Sequence, residues 1–297
     1  MKRSTTVVAM VALWLCWGSS FPAIRVMVAE LPPLLASGAV FLTAGTVLAA
    51  TRSGALRGLD RGRIATAAGV GVCLLGAQGA VAVAARHVYA STAALLVASV
   101  PLWTAVLRGL VGDRPGKAAS LRLLAGFAGT AMVIAGDSGV DWSLWSLVVV
   151  AAAVGWAGGT VWAARSDSMP DARAATVVQL LAGGLVLLAG GFLAGEDLPP
   201  GAVDGWSWLA LVHLVLVDSL AGFALYNRLL RTAPIGLVST YAYAVPVVAY
   251  LIGVLVLGEP FRAVVVLGAA VIVAAVAAEV VSCSASRSPA PSASSCR

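Results

Sequence analysis

The sequence predicts an all-α integral membrane protein with ten transmembrane helices in two inverted five-helix repeats. Three observations lead to this fold class. The 297 residues are 60% hydrophobic and only 11% charged, whereas soluble domains average roughly 45–50% and 25%. Apolar runs recur along the whole chain, and each can cross a hydrocarbon layer of about 30 Å as a helix. Finally, the two halves of the chain carry related sequence patterns.

Short breaks that contain polar residues, proline or glycine divide the chain into ten apolar runs. The first run follows Lys2 and Arg3, as in a signal peptide. It has no small-residue cleavage site, so we expect it to remain as a membrane helix. The predicted spans cover residues 6–26, 33–50, 64–85, 92–111, 121–135, 144–164, 174–194, 206–229, 235–257 and 263–281.

These spans divide the chain into two repeats and a tail. Residues 1–140, with helices 1–5, are predicted to form the first repeat. Residues 141–281, with helices 6–10, form the second. Residues 282–297 are rich in Ser, Ala and Pro, a composition that predicts a disordered cytoplasmic tail.

The basic residues follow the positive-inside pattern. If the N-terminus is cytoplasmic, all but three of the 19 Lys and Arg residues fall on the cytoplasmic side. The exceptions are Arg86, Arg262 and Arg25, which lies near an outer helix end. The net charge of +6 is scattered over short loops and does not indicate nucleic-acid binding. We therefore expect a multi-pass protein of the cytoplasmic (inner) membrane with both termini in the cytoplasm.

An internal repeat is visible in the sequence. Residues 86–101 align with residues 231–246, and each copy then reaches an acidic turn, Gly112-Asp113 or Gly258-Glu259, before another apolar run. Because each copy holds an odd number of spans, the copies must lie in the membrane with opposite orientations. Inverted repeats are typical of secondary transporters, which bind substrate between the repeats near the middle of the membrane.

Short motifs occur in a fixed order along most of the chain. Residues 17–21 read Trp-Gly-Ser-Ser-Phe, residues 226–231 read Tyr-Asn-Arg-Leu-Leu-Arg, and residues 239–246 read Ser-Thr-Tyr-Ala-Tyr-Ala-Val-Pro. Ala90-Ser91, Pro101 and Leu257-Gly258-Glu259 complete the set. In order and spacing these motifs resemble the EamA-type members of the drug/metabolite transporter superfamily. The resemblance implies a carrier, most simply an exporter of amino acids, related small metabolites or amphipathic compounds, driven by protons or by exchange.

Three positions depart from that resemblance. Similar chains commonly carry an arginine early in the second helix, where this chain has Val40. The Gly-Glu turn of the first repeat is Gly112-Asp113, and a position that is usually small is Asp218. These departures concern the substrate and the coupling ion rather than the fold.

Asp218 is the candidate for proton coupling. It lies about midway along the eighth predicted span, where a lipid-facing carboxylate costs roughly 2.5–3.5 kcal/mol or more. We therefore expect it to face a partner or a hydrated cavity. It could carry the coupling proton or balance a cationic group of the substrate. The alternative is a neutral, hydrogen-bonded structural carboxyl group.

In the ninth span, Ser239, Tyr243, Pro246 and Tyr250 share one helix face. That face could line the transport cavity or simply contact another helix. Pro101 and Pro246 occupy matching places in the two repeats and release the carbonyls near Val97 and Ala242. Such paired interruptions can mark a transport site, but simple structural kinks are the safer interpretation, since neighbouring helices readily satisfy the freed groups.

Further polar and aromatic residues inside the spans are candidates for substrate binding, with ordinary packing as the alternative for each. They are Trp17, Ser20, Gln78, Ser99, Trp103 and Trp156. With Asp218, Ser239 and Tyr243 they complete the predicted substrate-binding set. His213 precedes Asp218 by five residues, so on an ideal α-helix it points away from Asp218, and we interpret it as structural.

No catalytic residue, metal ligand or cofactor is predicted. The sequence has no Walker loop, dinucleotide fingerprint or His-Glu-x-x-His element. Cys16, Cys73, Cys283 and Cys296 follow no metal or disulfide spacing. The Gly155 and Gly159 pair predicts close helix packing.

Two alternatives to metabolite export remain open. A nucleotide-sugar or sugar-phosphate antiporter would need basic residues within the spans, and only Arg25 comes close. An intramembrane enzyme would need a nucleophile with a base, or a carboxylate pair, at depth. The expected partners are a small-molecule substrate and the lipid bilayer, not nucleic acid. The oligomeric state stays open, a monomer included.

Overall fold

A computed structural model describes residues 3–51, 56, 58–112, 117–138, 144–198, 201, 203–222, 225–226, 229 and 241–285. The long elements are helical throughout. They are α1 (Arg3–Gly18), α2 (Ser20–Glu30), α3 (Pro33–Thr51), α4 (Arg61–Ala84), α5 (Ala90–Val97), α6 (Val100–Leu110), α7 (Lys117–Ser138), α8 (Leu144–Arg165), α9 (Ala172–Leu193), α10 (Gly205–His213), a π-helical segment (Leu214–Gly222) that continues α10, α11 (Tyr241–Val256) and α12 (Ala263–Ala285).

These helices account for the ten predicted spans. Spans 1 to 10 are, in order, α1 with α2, α3, α4, α5 with α6, α7, α8, α9, α10 with the π-helical segment, α11 and α12. Among the described residues, seven continuous helical stretches are long and apolar enough to cross a membrane. Spans 5, 9 and 10 contain shorter apolar cores, Ser120–Val133, Ala244–Val256 and Ala263–Ala275.

The helix packing reveals the inverted repeat. Spans 2 and 7 pack together, as do spans 5 and 10 and spans 4 and 9. Span 3 lies against spans 6 and 7, and correspondingly span 8 lies against spans 1 and 2. Spans 4 and 6 and spans 1 and 9 are a further matched pair of contacts. Each of these extensive contacts is retained when span n is exchanged with span n + 5, so the two repeats are related by a pseudo-two-fold axis in the membrane plane.

The paired spans approach closely at glycines. A Cβ atom added to Gly129 would lie 2.8 Å from the carbonyl oxygen of Gly268, and one added to Gly268 would lie 2.8 Å from that of Gly129. Span 2 meets span 7 in the same way, because a Cβ at Gly38 would lie 2.9 Å from the Gly184 carbonyl oxygen. Small residues at such crossings allow helix backbones to touch in lipid.

The predicted glycine pair of span 6 has the expected role. A Cβ at Gly159 would lie 2.9 Å from Leu74 Cδ2, and one at Gly155 would lie 3.9 Å from Ala77 Cβ. Both neighbours belong to span 3. The pair therefore brings span 6 close to span 3, as the sequence predicts.

The two matched prolines differ in their surroundings. Pro101 lies in the first turn of α6, where a missing N–H costs little. Pro246 lies inside α11, and the helix continues through it. Span 4 changes helix at Ala98–Ser99, whereas span 9 continues through Pro246. The release of backbone carbonyls by both prolines stays a prediction.

The last helix continues to Ala285, beyond the predicted start of the tail at Ser282. Nothing before Pro289 in this stretch interrupts a helix, since Ser and Ala both continue one at modest cost. Residues 286–297 lie outside the described part of the chain.

We call the face of the bundle at which α1 begins the proximal face. The opposite face, where α2 ends and α3 begins, is the distal face. Arg3 thus begins α1 at the proximal face, and Glu30 ends α2 at the distal face.

Candidate functional site

Asp218 lies in the π-helical segment of span 8, near the middle of the membrane-spanning part. The Ser20 hydroxyl of span 1 donates a hydrogen bond to Asp218 Oδ1, and the Ser219 hydroxyl lies 3.5 Å from Oδ2. Within the described residues, no basic side chain forms an ion pair with Asp218. The carboxyl group is thus held at the boundary between the two repeats by neutral hydroxyls.

A small cavity adjoins this carboxyl group. Its volume is about 20 Å³, enough for about one or two water molecules. The lining residues come from spans 1, 2, 3 and 8 and are Ile24, Met27, Ser37, Val40, Phe41, Gln78, Leu214 and Asp218. The polar atoms of Ser37, Gln78 and Asp218 give such water the partners it needs. The lining of this Asp218 cavity is therefore partly polar and partly apolar.

Two of the positions that depart from the family resemblance meet in this cavity. Val40, where similar chains commonly carry an arginine, and Asp218, where they carry a small residue, both line it. Val40 is almost fully buried. The cavity therefore has one acidic group and, in its lining, no basic group.

His213 and Asp218 contact two adjacent serines of span 1. The His213 Nε2 atom lies 2.9 Å from the Ser19 hydroxyl, while Asp218 accepts from the adjacent Ser20. We predicted that His213 points away from Asp218 because five residues span 500° in an α-helix. A π-helix has more residues per turn, so residues five apart lie closer to one face. His213 ends α10, just before the π-helical segment, and no contact between the His213 and Asp218 side chains occurs among the described residues. The direction of His213 therefore stays a prediction.

The Ser19-Ser20 pair lies at the junction of α1 and α2. Both hydroxyls are within hydrogen-bond distance of the Cys16 carbonyl oxygen, at 3.0 Å and 3.1 Å. A hydroxyl has one proton to donate. Ser20 can donate to the Asp218 carboxylate, or, when Asp218 is protonated and donates to Ser20, it can donate to Cys16 instead. The protonation of Asp218 can thereby change the bonding at the helix junction of span 1.

Trp17 lies close to this group, on the far side of Gly222. A Cβ atom at Gly222 would come within 2.5 Å of Trp17 Nε1. The Trp17 ring packs against Tyr226, with centroids 5.2 Å apart, and against Tyr241, at 4.9 Å. Tyr226 and Tyr241 also contact each other. These three rings form an aromatic cluster that contacts span 8 at Gly222, four residues after Asp218.

Three of the predicted site residues lie apart from the Asp218 cavity. Ser99 is buried and donates to the carbonyl of Leu96 at 2.6 Å, which matches the packing alternative. Trp103 packs edge-on against Phe127, with centroids 4.6 Å apart. Its indole N–H is buried and has no hydrogen-bond partner among the described atoms. Trp156 packs at the edge of a separate hydrophobic core.

The predicted face of span 9 is described only in part. Ser239 and the side chain of Tyr243 lie outside the described residues. Pro246 is buried within α11, and the Tyr250 ring faces Phe261, with centroids 6.4 Å apart. The buried Tyr250 hydroxyl has no hydrogen-bond partner within the part of the chain that is described.

Sequence reasoning missed Ser19, Ser37 and the contact of His213. Ser37 is one of several small residues in span 2, and nothing in the pattern distinguishes it. The Ser19–His213 contact depends on how spans 1 and 8 pack together, which has no sequence signature. In the described ranges, no group of three His, Cys, Asp or Glu side chains is arranged to hold a metal ion.

The comparison with protein families decides the general identity of the chain. The EamA-like transporter family matches residues 4–135 and again residues 143–279. The chain belongs to this family. It is therefore a membrane transporter of the drug/metabolite type, and the resemblance expected from the short motifs is confirmed.

Curated relatives and solved structures agree with this assignment. The chain is 34% identical over 276 residues to the "Uncharacterized inner membrane transporter YedA" of Escherichia coli K12, covering 90% of this chain and 88% of that protein. It is 24% identical over 269 residues to the "Uncharacterized transporter YvbV" of Bacillus subtilis, covering 88% and 86%. A solved crystal structure matches with a TM-score of 0.65 and 22% identity over 97% of this chain and all of that chain, which supports the fold alone.

Proposed function

We propose that this EamA-family protein is a secondary transporter of the inner membrane that exports amino acids, related small metabolites or amphipathic compounds. It works by alternating access, driven by protons or by exchange. The observation that carries the proposal is Asp218, an acidic group that lines a water-sized cavity at the contact between the two repeats. Ionisable residues in such places commonly mark ion and substrate pathways.

Asp218 has the surroundings of a group that binds and releases a proton. A carboxylate without a basic partner is costly in the membrane interior, so a proton or a cationic group of the substrate is needed to neutralise it. Its neighbours Ser20, Ser37 and Gln78 can donate or accept, so they can serve both the charged and the neutral form. If proton and substrate are exchanged across the membrane, Asp218 would bind either the proton or the cationic group of the substrate, but not both together.

The same cavity favours metabolites with an amino group over anions. A nucleotide-sugar or sugar-phosphate antiporter would need a basic side chain to hold its phosphate. The cavity lining has Val40 and Asp218 instead. Arg25 is adjacent in sequence to Ile24 of the cavity lining, but its side chain does not line the cavity. It donates to the Val88 carbonyl oxygen and forms an ion pair with Glu259. These contacts support metabolite export over anion exchange.

The orientation of the chain is proposed from its charge distribution. We propose that the proximal face is the cytoplasmic face and that both termini lie there, because most of the described basic residues lie at proximal helix ends. They are Arg61, Arg63, Arg108, Lys117, Arg122, Arg165 and Arg173. The name of the Escherichia coli relative supports the inner membrane as the location. The distal face would then be the periplasmic or external face.

The proposal is tested by transport in sealed vesicles. The purified protein is reconstituted into liposomes, and a panel of radiolabelled amino acids, amines, other metabolites and sugar phosphates is measured with and without an imposed pH gradient. We expect at least one amine-bearing metabolite to move faster than in protein-free liposomes, and the gradient to accelerate it. If no solute in the panel moves, or if only the sugar phosphates move, the proposed function is wrong.

A further inference from the structure

The distal face is closed by side chains that join the two repeats. Glu259 follows span 9 in the second repeat, directly after Gly258, and is only 6% exposed. Its Oε1 atom accepts the backbone N–H of Ala90 at 2.6 Å, and its Oε2 atom accepts the N–H of Ser91 at 3.1 Å and the Ser91 hydroxyl. Ala90 and Ser91 begin span 4 in the first repeat. A carboxylate of one repeat thus caps a helix of the other.

Arg25 of span 1 completes this junction. Its Nε atom lies 3.8 Å from Glu259 Oε1, and its guanidinium group donates to the carbonyl oxygen of Val88, just before span 4. The guanidinium carbon also lies over the Tyr89 ring, 5.1 Å from its centroid. Arg25 therefore ties span 1 to both sides of the contact between Glu259 and span 4.

The fit around Glu259 is tight. A Cβ atom at Gly253 would come within 2.3 Å of Glu259 Oε2. Gly258 has a φ of +67°, a conformation that favours glycine and turns the chain back so that the carboxylate lies against α5. Gly253 and Gly258, both in the second repeat, therefore allow the Glu259 carboxylate to lie in this position.

Other carboxylates on the distal face also cross between the repeats. Glu196, after span 7, accepts the backbone N–H groups of Leu34 and Leu35 at 3.0 Å and 2.9 Å and so caps span 2. Glu30, at the end of span 1, accepts the N–H of Asp204 before span 8 at 2.6 Å. The distal ends of both repeats are joined in this way at three places.

Helices that begin at the proximal face are capped differently. Asp60 accepts the Arg63 N–H at 2.8 Å, at the start of span 3 in its own repeat. Asp171 accepts the Arg173 N–H at 2.9 Å, at the start of span 7, also within its own repeat. These caps can remain intact while the repeats separate, whereas the caps made by Glu259 and Glu196 cannot.

We infer that Arg25 and Glu259 are gate residues that hold the distal face closed in this structure. The inference rests on the proposed alternating access. Ile24, the neighbour of Arg25 in α2, lines the Asp218 cavity, and Glu259 caps the distal start of span 4, so the junction lies beside that cavity at the distal ends of the helices. For the cavity to open to that face, Glu259 must leave the start of span 4 and Arg25 must leave Glu259.

The gate is tested by the accessibility of a single cysteine in the cavity. In a background with Cys16, Cys73, Cys283 and Cys296 replaced by alanine, Ile24→Cys is labelled with a membrane-impermeant maleimide from the distal side. A tag at the N-terminus identifies the proximal side. We expect Glu259→Gln to raise the labelling rate about tenfold or more, because charge-assisted hydrogen bonds and the ion pair are lost. Arg25→Ala, which removes the other member of the ion pair, should also raise the labelling rate of Ile24→Cys.

Arg86→Ala is the matched control. Arg86 is a second arginine near the distal face, and it donates to the carbonyls of Val28 and Leu31 at 2.9 Å and 3.0 Å, within its own repeat. Its loss should leave the labelling rate nearly unchanged. The gate is refuted if neither Glu259→Gln nor Arg25→Ala raises the rate, or if Arg86→Ala raises it equally.

The labelling experiment needs no transported solute, which separates the gate from the proposed function. Faster labelling in the gate variants with no solute transport by the parent protein would retain the gate and reject the carrier mechanism. Normal solute transport by the parent protein, with unchanged labelling in the gate variants, would retain the carrier mechanism and reject the gate. Each variant is first checked for recovery from the membrane and for thermal stability, and Arg25→Ala carries the test if Glu259→Gln does not fold.

Discussion

Asp218→Asn is expected to abolish proton-driven transport while the protein still folds. Asparagine keeps the size and the hydrogen-bonding oxygen that Ser20 contacts, but it cannot exchange a proton. For one proton per solute, a gradient of about one pH unit supports a solute ratio of about tenfold. We expect the parent protein to approach such a ratio in vesicles and Asp218→Asn to show none, measured as accumulated solute across a pH series.

The outcome separates the two roles of Asp218. If it carries the proton, Asp218→Asn loses the pH dependence of transport and retains solute exchange without a gradient. If it only balances a substrate cation, exchange is lost as well. A variant with the same pH dependence as the parent protein would remove Asp218 from both roles and leave it as a structural residue.

Gly129→Leu is expected to prevent stable assembly of spans 5 and 10. Even a Cβ atom at this position would lie 2.8 Å from the Gly268 carbonyl oxygen and 3.0 Å from the Ile272 backbone nitrogen, and backbone atoms cannot move aside as a flexible side chain can. Overpacking typically costs about 1–3 kcal/mol and occasionally more, and a clash with backbone atoms places this change at the upper end. The yield of folded protein and its thermal stability in detergent should both fall sharply.

Gly158→Leu is the matched control for that change. No described atom lies within 4 Å of a Cβ atom at Gly158, and leucine is the better helix former. Its stability should equal or exceed that of the parent protein. A Gly129→Leu variant as stable as Gly158→Leu would show that the close crossing of spans 5 and 10 is not needed for the fold.

The fold was predictable because lipid restricts it so strongly. Ten apolar runs, each able to satisfy its own backbone hydrogen bonds as a helix, leave few alternatives. The aligned turns at Gly112-Asp113 and Gly258-Glu259 predicted the inverted repeat, and the matched helix contacts confirm it. What the pattern could not give was helix winding. The π-helical segment at Leu214–Gly222 has the same apolar composition as an α-helix, so the sequence does not indicate it.

The candidate site was predictable only where the chemistry is unusual. An aspartate at mid-membrane stands out in any sequence, and Gln78 and Ser20 were found for the same reason. Which of the many serines and tryptophans share its cavity depends on helix rotation, so Ser99 and Trp103 could not be separated from Ser20 in advance. Glu259 appeared only as part of a turn. That it caps a helix 169 residues away depends on tertiary packing alone.

The central claim is that the Asp218 cavity opens alternately to the two faces of the membrane. It is tested by replacing Ser37, which lines the cavity, with cysteine in the cysteine-free background and labelling it separately from each face. We predict labelling from both faces, slowed from both by a transported solute, with the N-terminal tag on the cytoplasmic side. Labelling from one face only, whatever solute is present, would contradict the account.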